Sequence, residues 1–185
     1  MPKPLTLACP LAASALLATA ALAAEPGDTI AEALSAAPPQ IAADAEVRDM
    51  EGNVLREGEG SYTCFPSPGD FAGPMCLDQA FLGWLDAMMK GEEPQVETIG
   101  LSYMLAGDSA EGGASNTDPA ARTPSADNDW VVEGPHVMVI VPDPAMLEGL
   151  PTTPVGDGPY VMWAGTPYAH IMMPVAERPE QRPAE

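Results

Sequence analysis

The chain has 185 residues and carries 27 acidic side chains against seven basic ones, for a net charge of −20. That length is one domain's worth of chain, enough to bury a core. A surface this negative repels phosphate backbones and anionic lipids, which excludes nucleic acid as a partner.

Residues 1–24 read as a secretory signal peptide. Lys3 supplies the positive start, a Leu- and Ala-rich run follows, and Ala21-Leu22-Ala23 gives the small-x-small cleavage pattern before Glu25 and Pro26. Pro10 and the weak apolarity of an Ala-rich run argue for cleavage rather than retention as an anchor. No later stretch is long and apolar enough to span a bilayer, so no membrane span is expected after cleavage. The expected location is periplasmic or extracellular, where thiols pair.

Residues 25–43 form an Ala- and Pro-rich arm, with a short helix expected over 29–36 behind Asp28 and a stop at Pro38-Pro39. The arm is expected to dock loosely on a single domain spanning 44–176. Residues 46–56 read as a hairpin around Glu51-Gly52-Asn53, whose Gly and Asn tolerate positive φ. Cys64 and Cys76 follow. In an exported chain they predict one disulfide, and their spacing is not that of a Cys-x-x-Cys redox pair. The Pro- and Gly-rich loop between them suits neither a helix nor a central strand.

Asp78 to Lys90 is the clearest helix. Asp78 caps it, Gly91 ends it, and Phe81, Leu82, Trp84, Leu85, Met88 and Met89 recur at helical spacing. Residues 96–105 read as a strand with Ile99, Leu101, Tyr103 and Leu105 on its apolar face. Residues 107–129 are then a long polar loop, of the kind that is either functional or mobile. Strands are expected over 137–141, 160–164 and 169–173, with a short helical piece after Asp143-Pro144. Residues 177–185 are Pro- and charge-rich and expected to be disordered. The fold class expected is α+β: a single domain with a mixed or mostly antiparallel sheet, one main covering helix and one disulfide.

No motif specifies a reaction. Gly107-Asp108-Ser109 has the first residues of a lipase-type block but lacks its following Leu, its N-terminal position and a late Asp-x-x-His. Asp127-Asn128-Asp129 and Asn116-Thr117-Asp118 offer oxygen ligands without the Gly and distal Glu of a calcium loop, and read as Asx turns. His-x-Met occurs twice, as His136/Met138 and His170/Met172, each pair on one strand face. Imidazole plus thioether suits Cu(I), making His136, Met138, His170 and Met172 a candidate copper set. The two histidines meet only if their strands run parallel. A crossover followed by a hairpin return would instead put them at opposite ends of the sheet.

Four blocks resemble a family of uncharacterised secreted bacterial proteins: Met75-Cys76-Leu77-Asp78; Tyr103-Met104-Leu105 leading to Ala114-Ser115-Asn116-Thr117-Asp118-Pro119; Gly134-Pro135-His136-Val137-Met138 with Pro142-Asp143-Pro144; and the stretch from Gly158 through Trp163 and Tyr168 to Met172. The resemblance covers roughly residues 40–175. It implies one exported domain and no particular activity. The functional expectation is a non-enzymatic domain that binds a small molecule or a protein partner through the 107–129 loop and the aromatic hairpin around Tyr160. Its candidate ligand-binding residues are His136, His170, Trp163, Tyr168 and Asn116, groups that orient ligands in concave sites. A Cu(I) carrier and a secreted hydrolase are the alternatives.

Overall fold

The Asp78 carboxylate organises the junction between the main helix and the sheet. One oxygen accepts the Phe81 amide at 2.8 Å and caps the helix; the other accepts the Leu101 amide at 2.7 Å and ties the cap to a strand. The computed structural model describes residues 26–69, 72–109 and 112–181. The expected signal peptide and the last four residues lie outside them.

Ten strands and three α-helices follow in order: α1 (Pro26–Leu34), α2 (Pro39–Ala42), β1 (Glu46–Arg48), β2 (Val54–Arg56), β3 (Tyr62–Phe65), β4 (Met75–Asp78), α3 (Gln79–Lys90), β5 (Gly100–Met104), β6 (Ala114–Ser115), β7 (Trp130–Val131), β8 (His136–Ile140), β9 (Tyr160–Met162) and β10 (His170–Pro174). A 3-10 turn at Pro144–Leu147 is capped by Asp143. Eight strands form one sheet in the order β2-β1-β3-β4-β5-β8-β10-β9, while β6 and β7 pair as a separate ribbon. Among the described residues β1 and β3 pair in parallel, and the other ladders are antiparallel. The domain is therefore α+β with a mixed sheet.

Both faces of the sheet are covered. Cys64 and Cys76 lie directly opposite each other on β3 and β4 and form the disulfide. They share a buried cluster with Val47, Ala45, Ala33 and Ala36. Small alanines let α1 approach the sheet closely, and the Leu105 amide donates to the Ala36 carbonyl at 2.9 Å. The arm is thus part of the domain rather than loosely docked, because its Ala face is core. On the other face α3 lays Phe81 and Trp84 over Leu77 and Ile140. Its last turn ends at Gly91 in the left-handed region, φ 71°, which spares a side chain the strain.

Two details differ from expectation. In β5 the fully buried face is Gly100, Ser102 and Met104, and Ile99 is 54% exposed. A Cβ on Gly100 would sit 2.9 Å from the Phe81 nitrogen and 2.8 Å from Ile140, so at that position no side chain fits beneath the helix. The tail is also ordered further than its composition suggests. Residues 177–181 run beside 132–135: the Gln181 side-chain amide both accepts from the Val132 N–H and donates to its carbonyl, replacing a missing strand neighbour. Among the described residues no helix is long and apolar enough to cross a membrane.

Candidate functional site

Trp163 ends β9 with φ 56°, a left-handed conformation costly for a bulky residue. Four hydrogen bonds hold it there. Its backbone amide donates to the Asn116 carbonyl at 2.8 Å, and its indole N–H to the Ser115 carbonyl at 2.6 Å. The Thr166 amide and hydroxyl both donate to its own carbonyl. The strained tryptophan thereby clamps the long polar segment onto the β9–β10 turn. Within it, Ser115 accepts the Thr117 and Asp118 amides, and Asn128 accepts the Ser125 amide and donates to the Thr123 carbonyl. Of the groups offered as calcium ligands, Asp118 and Asn128 close local turns, and the Asn116 side-chain amide donates to the Thr152 carbonyl. Among the described residues no group of three His, Cys, Asp or Glu side chains is arranged to hold a metal ion.

Below the turn lies a set of rings. Trp84 of α3 stacks on Trp163, and Tyr168 meets Trp84 edge-on at 6.3 Å. The Tyr168 hydroxyl donates to the Glu92 carbonyl beyond the end of α3. His170 stands edge-on among three of the rings, 5.0 Å from Trp163, 5.3 Å from Trp84 and 6.5 Å from Phe81. Its Nδ1–H donates to the Tyr168 carbonyl at 3.0 Å, which leaves the lone pair on Nε2. Nε2 is buried without a partner, as is the Oδ1 of Asn116. Leaving such a group bare costs about 1–3 kcal/mol. Burial pulls the His170 pKa down to about 4, against the opposing pull of the Tyr168 carbonyl, and His136 lowers it slightly further. The imidazole is neutral at neutral pH.

The register sets which side chains share a sheet face with His170. Met162 of β9 lies directly across from His170, Met172 follows two residues on, and Met138 of β8 pairs with Met172. All four side chains project from one sheet face. Met138, Met162, Met172 and Trp163 pack in a single cluster with Tyr160.

His136 is not part of this site. Strands β8 and β10 are antiparallel and His136 pairs with Pro174, at the end of the ladder away from His170. Of the sequence candidates, the structure brings together Asn116, Trp163, Tyr168 and His170, and sets His136 apart. The four-ligand copper set of His136, Met138, His170 and Met172 is corrected by the same register: the hairpin return between β9 and β10 reverses the strand, so the imidazoles cannot share an ion.

His136 belongs to a second polar cluster. Its Nδ1–H donates to the Gly134 carbonyl at 2.7 Å. Nearby, the buried Glu133 accepts the Tyr160 hydroxyl at 2.8 Å and the Arg178 Nε–H at 2.9 Å on the same oxygen. The Arg178 guanidinium also lies 5.7 Å from the Tyr160 ring centre and donates to the Gly156 carbonyl. Asp108 accepts the Glu133 amide at 2.8 Å. Burial raises the Asp108 carboxyl above the usual range, against the lowering effects of that amide and of His136. Burial also raises the Tyr160 phenol, helped by the Glu133 charge. Asp108 was read as part of an incomplete lipase block and Arg178 as part of a solvated tail. The one sequence signal for this cluster is an acid, Glu133, directly after the apolar pair Val131-Val132.

Comparison with protein-family models, with curated proteins and with solved structures finds no match to this chain.

Proposed function

We propose that this chain is an exported, non-enzymatic binding domain whose site is the Trp163 turn and the His170 pocket beneath it. The observation that carries the reading is the buried, partnerless Nε2 of His170. It sits beneath a tryptophan held in a strained backbone conformation. Buried polar groups in folded proteins are overwhelmingly paired, and strain of this kind persists at sites that use it. The acidic surface and the Cys64–Cys76 disulfide support export. The ordered 112–131 segment, fastened to Trp163 through Asn116 and Ser115, forms one wall of the site.

The test is native mass spectrometry of protein recovered from a bacterial periplasm or culture medium without chelator. The expected result is a non-covalent adduct on the wild type that is lost in His170→Gln and in Trp163→Ala. Identical bare masses for wild type and variants would overturn the reading. So would turnover of esters or peptides by the purified protein that vanishes when Ser109 is replaced.

A further inference from the structure

We propose that His170 Nε2, together with the thioether sulfurs of Met162 and Met172, binds Cu(I) beneath the Trp163 indole. The proposal rests on the reading of the Trp163 turn as a binding site, and names its ligand.

The donor set selects the ion. His170 offers one lone pair, aimed by the Nδ1–H bond to the Tyr168 carbonyl, the outer contact that orients metal-bound histidines. Met162 is its cross-strand partner and Met172 its same-face neighbour, and both are buried. Imidazole serves several transition metals, but the two neutral, soft thioethers favour Cu(I) over Zn²⁺ and over hard divalent ions. A monovalent ion also costs far less to bury than a divalent one, because the desolvation cost grows with the square of the charge. The Trp84 and Trp163 rings lie 5.3 and 5.0 Å from the His170 ring at near-perpendicular angles, and indole π-systems attract cations within about 6 Å.

Water is the obvious competitor for Nε2, and the walls argue against it. A buried water needs two to four polar partners. The rings around His170 are Phe81, Trp84 and Trp163, three methionines share its sheet face, and Nε2 is buried without a partner. A soft cation uses the thioethers that a water cannot. The negative surface concentrates cations around the protein.

The experiment is an anaerobic titration of the disulfide-bonded protein against the coloured Cu(I)–bicinchoninate complex, with tryptophan emission read in parallel. Wild type is expected to withdraw one equivalent of Cu(I) and to lose emission as it does so. His170→Gln should weaken binding by more than about 100-fold, since losing even an outer contact of a metal ligand costs about 10–100-fold. Met162→Leu and Met172→Leu conserve volume and keep the core packed, so they separate lost ligation from lost folding. His136→Gln, at the far end of the ladder, should bind as wild type does. If wild type withdraws no Cu(I), or if His170→Gln binds as tightly as wild type, the proposal is overturned. A different adduct in the native spectra that still depends on His170 would then leave the binding site standing without its copper. No adduct and no Cu(I) would remove both.

Discussion

Trp84 and Trp163 stack with ring centroids 6.1 Å apart and planes 9° from parallel. One ring belongs to the main helix and the other to the turn between the last two strands, so the stack joins elements about 80 residues apart in sequence. Trp163 also makes two of the hydrogen bonds that fasten the 112–131 segment, and Asn116 Nδ2 adds a third to the Thr152 carbonyl. Trp163→Ala should therefore cost about 3 kcal/mol or more in urea unfolding, in the range of large-to-small changes in a packed cluster. Trp163→Phe should cost less. Near-UV circular dichroism should show a coupled indole signal that disappears equally in Trp84→Phe and Trp163→Phe.

His170 makes stability depend on pH in a defined direction. Its pKa in the fold is about 4, below the ordinary histidine value. A base with a depressed folded pKa binds fewer protons in the native state, so its stabilisation is complete above pH 6.5 or so and is lost as pH falls towards 4. A shift of that size corresponds to about 3 kcal/mol across the window. His170→Phe removes the titration, and the stability gap between wild type and variant should narrow steadily from pH 7 to pH 4. A gap that stays constant over that range would show that His170 is not held neutral by burial.

The main helix was readable in the sequence because its signals are local: a capping aspartate, apolar residues at helical spacing and a terminal glycine, all within 14 residues. The disulfide was readable for a similar reason, two cysteines in a chain with an export leader. The buried face of β5 was not. Apolar periodicity pointed to Leu101 and Tyr103, whereas the buried face is Gly100, Ser102 and Met104, with α3 too close at Gly100 for any side chain. The aromatic half of the site could be read from Trp163, Tyr168 and His170 clustered in one turn. The polar cluster could not, since Glu133 and Arg178 stand 45 residues apart and the tail that carries Arg178 has the composition of a solvated segment.

The Glu133–Arg178 pair predicts an asymmetric mutational response. Glu133 is almost fully buried and Arg178 nearly so. Arg178→Ala leaves the carboxylate with the Tyr160 hydroxyl alone and should cost about 3–5 kcal/mol, the penalty for stranding one charge of a buried pair. Adding Glu133→Gln removes the stranded charge, and the double variant should recover most of that loss. A double-mutant cycle in denaturant measures the coupling directly. Additive effects would show that the guanidinium and carboxylate do not depend on each other.

The Cys64–Cys76 bond closes a loop of 12 residues in sequence separation between two adjacent antiparallel strands. Its main effect is on the unfolded chain, whose freedom it restricts, and for a loop of this size the expected contribution is about 3 kcal/mol. The disulfide packs against Ala33, Ala36 and Val47, so it also anchors α1 to the sheet. Cys64→Ala/Cys76→Ala should lower stability by about that amount and increase amide exchange first in α1 and in the loop after Phe65. The Trp163 turn follows β9 at the sheet edge, separated from β4 by β5, β8 and β10, and its tryptophan spectrum should remain native below the melting temperature. Loss of the indole coupling together with α1 protection would mean that the two ends of the sheet unfold as one unit.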